Sequence, residues 1–160
     1  MIAYDSFPAE ARIWIYQSNR ALTATEAEQA NQRLELFVKQ WLSHGKRVQA
    51  WASLLHQHFL VLMVDEEQEA PSGCSIDSSV ALVKELGQAF GIDFFDRMMF
   101  TYVQKDGQVT TADRDTFANL YAQNQIDEDT LVFNNLVNTK AAFENTWKVP
   151  LKESWHANMV

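Results

Sequence analysis

Apolar positions along the chain change period in an order that predicts strand, helix, strand, strand, helix, strand. Ile13-Trp14-Ile15-Tyr16 is a β-branched and aromatic run that follows Pro8 and ends at the polar Gln17-Ser18-Asn19, which reads as a strand. Thr23 and Thr25 each precede a glutamate by three residues, Glu26 and Glu28, the spacing of a capping box. Ala27, Ala30, Leu34, Phe37, Val38, Trp41 and Leu42 then recur at helical spacing, with Gly45 as the expected left-handed stop. Val48 to Leu55 and Phe59 to Val64 are extended runs joined at His56-Gln57-His58, a hairpin. The second run is apolar at every position, so both faces of that strand are expected to be buried. A second helix starts after Ser72, capped by Ser75 or Asp77, with Ile76, Val80, Val83, Leu86 and Phe90 as its apolar face and Gly91 as its stop. Met98 to Val103 and Val109-Thr110 flank Lys105-Asp106-Gly107, and Asp-Gly marks a tight hairpin.

This order predicts an α+β fold whose residues 1–110 form a ferredoxin-like βαββαβ core, with strand order 4-1-3-2 and both helices on one face. If Ile13 and Ile15 face the helices, then Trp14 and Tyr16 face the other way, joined by Trp51, and so large an apolar face requires a cover or a partner. Residues 111–160 are the expected C-terminal α/β extension packed on that core. Asp113 or Asp115 caps a helix to about Ala122, Thr130 to Phe133 is strand-like, and Thr139 to Trp147 supplies a short helix. Trp147, Val149, Leu151 and Trp155 follow as bulky anchors, over the chain's own sheet or a neighbour's.

Composition narrows the function classes. At 160 residues and 47% apolar content the chain supports one domain with a real core, and 12% aromatic residues exclude disorder. The net charge of −8 disfavours nucleic acid, whose affinity rests on Lys and Arg displacing counterions. No apolar run approaches the roughly 18 residues of a membrane span, and no signal-peptide pattern opens the chain, so membrane insertion is not expected and the cytoplasm is. A single cysteine forbids an intramolecular disulfide and fits a reducing compartment.

That cysteine, Cys74, sits at a helix start, where backbone N–H groups and the macrodipole favour a thiolate. His56 and His58 lie roughly 20 Å away, at the far end of a six-residue strand rising about 3.3 Å per residue. His44 is the better candidate base, and Arg12 or Lys46 the candidate partner of a thiolate. Gly73, Cys74 and Ser75 with Arg12 and Lys46 also form a candidate anion site. The structural alternative is a capped helix start with Cys74 packed as a small hydrophobe. His56 and His58 read as solvated turn residues, and Asp65-Glu66-Glu67 with Glu69 as a solvated strand end. No metal and no cofactor are therefore expected.

Five stretches, Ala11–Tyr16, Ser72–Ser79, Phe94–Arg97, Thr130–Val137 and Val149–Trp155, together resemble an uncharacterised family of small bacterial proteins whose members are often labelled "ABC transporter ATPase". The resemblance implies nucleotide hydrolysis, and Leu60-Val61-Leu62-Met63-Val64-Asp65-Glu66 is similar to a Walker B strand. The phosphate cradle is missing, because Gly45-Lys46 is followed by Arg47 and Gln40 stands five positions before Gly45. The last third is similar to GYF-type modules, which bind proline-rich peptides. The similarity is carried by Lys105–Gln108, Phe117–Leu120, Ile126–Val132 and Trp147–Pro150, without the Gly-Pro-aromatic opening. The sequence points to a non-enzymatic protein-interaction module, with a protein partner or homo-oligomer meeting Trp14, Tyr16, Trp51, Trp147 and Trp155. The alternatives are a thiol-dependent enzyme or anion site at Cys74, and thirdly nucleotide hydrolysis.

Overall fold

The computed structural model describes residues 2–160 and is an α+β fold built on antiparallel sheets. The first sheet has the order β1-β5-β4, from β1 (Arg12–Gln17), β5 (Phe59–Val64) and β4 (Ala50–Leu55). The register places Trp14, Leu62 and Ala52 side by side, and Ile13, Met63 and Trp51 side by side. Strand β5 is buried at all six positions, as an unbroken apolar run in a central strand requires.

Helices α1 (Ala24–Gln40) and α2 (Gly73–Phe90) share one face of this sheet, packing Leu34, Val38, Leu82, Val83 and Leu86 against Leu60, Leu62 and Val64. Thr23 and Glu26 close the expected capping box on α1, satisfying two otherwise orphaned N–H groups. Ser72, rather than Ser75 or Asp77, caps α2, and Gly91 ends it with φ 66°. Its buried face is Ser75, Ser79, Leu82, Val83 and Leu86, so it is rotated from the expected one, with Ile76 and Val80 at its margin.

Gly45 has the expected positive φ but does not stop α1. The helix ends at Gln40 and Trp41 turns extended, its buried indole donating to Ser75 O at 2.8 Å. Strands β2 (Leu42–Ser43) and β3 (Lys46–Arg47) then form a small hairpin, whose turn is His44 and Gly45 at φ 52° and 78°. The turn needs two left-handed residues, which is what Gly45 serves.

The fourth strand of the expected core lies elsewhere. β6 (Met99–Val103) pairs with β7 (Val109–Asp113) and β8 (Leu131–Phe133), in a second sheet ordered β7-β6-β8-β9 with β9 (Lys148–Pro150). Its position beside β1 is taken by the segment around 135–140. Ile13 N–H donates to Asn138 O at 3.0 Å and Lys140 N–H to Ala11 O at 2.9 Å. The 1-3-2 part of the expected order is present, and the 4-1 pairing is not.

The assignment of faces is also reversed. Trp14 and Tyr16 lie on the helix side, while Ile13 and Ile15 share the other face with Trp51. That second face, with Phe59, Val61 and Met63, is covered by Phe7, Phe133, Val137 and Trp147 of the same chain. Helix α3 (Arg114–Ala122), capped by Asp113, and the C-terminal 3-10 turns close the second sheet around Phe100, Phe117, Val132 and Leu151. Helix α4 (Lys140–Thr146), capped by Thr139, leads into β9.

Candidate functional site

Where the two sheets meet, side-chain hydrogen bonds replace strand pairing. Gln17, the last residue of β1, is only 8% exposed and spans the seam. Its Nε2 donates to Met99 O at 2.6 Å, while its Oε1 accepts from Thr101 Oγ1 at 2.7 Å and from Asn135 Nδ2 at 3.1 Å. Asn135 Oδ1 in turn accepts from the indole of Trp147 at 2.9 Å. Neighbouring Asn134 accepts at Oδ1 from the Trp155 indole at 3.2 Å and from Leu136 N–H at 3.1 Å. A network of neutral amides in which each group has a partner rigidifies a seam without a charge-burial cost.

Three exposed apolar residues adjoin members of this network along the chain or pack beside one. Leu136 is 74% exposed and follows Asn135; Met98 is 61% exposed and precedes Met99; Phe95 is 41% exposed and packs edge-on to Tyr16, ring centroids 5.4 Å apart. Asp93 and Asp96 hold the Phe95–Met98 turn by accepting from Phe95 N–H at 2.8 Å and Met98 N–H at 2.9 Å. The turn is thus kept in shape although its apolar side chains face water. Periodicity does not mark Phe95 or Leu136, which sit in turns, and it takes Met98 as the first residue of a strand that begins at Met99.

The aromatic residues expected on one open face are distributed through the interior. Trp147 is 6% exposed and stacks on Phe143 at 4.6 Å, with Phe133 at 4.9 Å and Phe59 at 5.0 Å. Trp14 is half-buried beneath the Arg12 guanidinium, 4.5 Å from the ring centroid, and Trp51 meets Tyr4 at 5.1 Å on the opposite face. Trp155 stacks on His156 at 3.8 Å.

Cys74 lies in the first turn of α2 with its side chain exposed, so it does not pack as a small hydrophobe; Ser75 takes the buried position. The Ser75 N–H is used by Ser72 Oγ at 3.2 Å, and the Ser75 hydroxyl donates to Ser72 O at 2.8 Å. Ser43 ties the β2–β3 hairpin to this helix start, donating to Ala70 O at 2.9 Å and accepting from Ser72 N–H at 3.0 Å. His44, Gly45 and Lys46 therefore belong to a hairpin fastened beside α2. Arg12 is held by Glu66 at 3.2 Å. Among the described residues no hydrogen bond or ion pair joins Cys74 to His44, Arg12 or Lys46, and no group of three potential ligands could hold a metal ion.

His56 and His58 differ from two solvated turn residues. The β4–β5 turn takes His56 and Gln57 at φ 53° and 58°. His56 is exposed at one edge yet packs on Phe133 and Trp147, at 5.3 and 5.7 Å. His58 is buried, its Nδ1 2.8 Å from His56 O. Burial lowers the basicity of both, and nearby Lys148 adds to the effect at His56. Among the described residues no helix is long and apolar enough to cross a membrane. No protein-family model, curated protein or solved structure matches this chain.

Proposed function

We propose that this protein is a cytoplasmic, non-enzymatic interaction module that docks a protein partner through the apolar rim of the Gln17 seam. The observation that carries this reading is that exposed Met98 and Leu136 adjoin Met99 and Asn135, both hydrogen-bonded to Gln17, and that exposed Phe95 packs on Tyr16, the residue before Gln17. Single exposed apolar residues are ordinary, whereas several around a rigid seam supply apolar area without an ordering cost on the module's side. A photo-crosslinking residue placed at Leu136, and separately at Met98, is expected to yield the same discrete adduct in cells. Substituting the other rim residue, by Met98→Glu or Leu136→Glu respectively, should abolish it. An adduct pattern no different from that of a probe at Gln29, exposed on α1, overturns the proposal.

The exposure of Cys74 favours a second reading, a thiol-dependent or anion-binding activity at the start of α2. It requires iodoacetamide to modify Cys74 faster than a free thiol, with the labelling rate slowed by added phosphate. Labelling at the rate of free cysteine removes it.

A further inference from the structure

We propose that the cavity between the β6–β7 turn and the end of α3 binds a zwitterionic α-amino acid with a large apolar side chain. The site lies at the opposite end of β6 from Met99, apart from the Gln17 seam, and goes beyond the proposed docking role.

The cavity measures about 370 Å³, toward the small end of the range of about 300–1,000 Å³ that ligand sites occupy. It opens where β6 and β8 diverge: their register has the single pair Tyr102 and Val132, beyond which Val103 and Thr130 line the gap. The floor is apolar, because Tyr102 and Ile126 are buried members of the second core and Leu120 packs against it. Ordered backbone holds the walls. Gln104 N–H donates to Gln108 O at 2.8 Å across the hairpin, Leu120 O accepts from Gln125 N–H at 2.9 Å, and Leu151 N–H donates to Thr130 O at 2.8 Å. Walls already fixed in place lower the ordering cost of binding a small ligand.

Charge sets the ligand class. The charged residues lining the cavity are Lys105 and Asp106, adjacent in the turn, and neither forms an ion pair among the described residues. The Lys105 ammonium has no hydrogen-bond partner there, and Asp106 Oδ1 accepts from Gln108 N–H at 2.9 Å, which leaves Oδ2 open. One unpaired cation and one unpaired carboxylate beside an apolar floor match a ligand with a carboxylate, an ammonium and an apolar body. The chain's net charge of −8 repels a bare anion, whereas a zwitterion brings no net charge. A second cavity, of about 430 Å³ beside Val38 and Ala50, carries Lys39 and Arg47. Those cations are committed internally, Lys39 to Glu35 at 3.0 Å and Arg47 to the Lys39 carbonyl.

NMR titration of the full chain with L-phenylalanine to about 10 mM is expected to shift the amide signals of Lys105, Leu120 and Ile126, with a Kd of about 1 mM. Glycine, a zwitterion without the apolar body, should leave those signals in place. Phenylalanine amide, which lacks the carboxylate, and N-acetyl-phenylalanine, which lacks the ammonium, should each bind about fivefold more weakly. Lys105→Gln should weaken L-phenylalanine about fivefold and leave the amide unchanged; Asp106→Asn should weaken it by about the same factor and leave N-acetyl-phenylalanine unchanged. Asparagine retains the oxygen that accepts from Gln108 N–H, so the turn survives, and unmoved signals outside the cavity check the fold of both variants. Silence of the three amides at about 10 mM overturns the proposal. So does equal binding by N-acetyl-phenylalanine amide, which resembles a residue inside a peptide chain.

Discussion

Gln17 is a polar residue at a strand end, a place where side chains are commonly solvated, yet it holds two sheets together. Replacing it by leucine leaves Met99 O, Thr101 Oγ1 and Asn135 Nδ2 without their partner in a largely buried seam. A loss of about 2–4 kcal/mol is expected by urea unfolding, since each stranded buried group costs about 1–3 kcal/mol and partial relaxation recovers some of it. His156 is the counterpart in the second core, 2% exposed among Phe100, Phe117 and Trp155, with one hydrogen bond to Ser154 at 2.7 Å. Burial pushes its pKa down from 6.5 to about 4. The folded state therefore binds this proton more weakly than the unfolded chain. The stability it contributes is complete above pH 6.5 and is lost as pH falls toward 4, by about 3 kcal/mol at 1.36 kcal/mol per unit. His156→Phe should remove that part of the acid destabilisation when urea midpoints at pH 6.5 and pH 4 are compared.

At the scale of elements, local chemistry accounts for where helices begin and end. The Thr23–Glu26 capping box and the left-handed Gly91 are legible from residue type and spacing alone, because both act within one turn of backbone. Gly91→Ala is expected to cost about 1 kcal/mol, from φ 66° alone, with open space around the new methyl. Gly87→Ala should cost more. Its Cβ would sit 2.8 Å from Ile92 O, in a tight approach between α2 and the following loop, and thermal unfolding should order the two variants accordingly. Gly45 shows the limit of this local logic. Its left-handed backbone was readable, but its use in a hairpin turn was decided by Trp41 leaving the helix toward Ser75.

For the whole molecule, Trp147 closes the face of the first sheet that the helices leave open. Trp147→Ala removes its contacts with Phe59, Phe133 and Phe143 and the hydrogen bond to Asn135. A loss of about 3–5 kcal/mol by chemical denaturation is expected, with increased binding of a hydrophobic dye. Periodicity made the α+β class, the central position of β5 and the two helices readable, because a buried face must repeat at 2 or 3.6 residues. It did not reveal which face of β1 meets the helices. Ile13 and Trp14 are both apolar, and alternation carries no sign when both sides of a strand are covered. Nor did it show β6 joining β7 and β8 while the 135–140 segment takes the place beside β1, since strand partners are chosen by competition between distant segments. Phe95 and Leu136 lay hidden in turns, which carry no alternation of their own. The sequence by itself determined the buried central strand, the two long helices, the capping box of α1 and the left-handed stop of α2, all consequences of short-range geometry and solvent. The tertiary structure alone decided which strands pair, which face meets which layer, and that the Cys74 side chain is exposed.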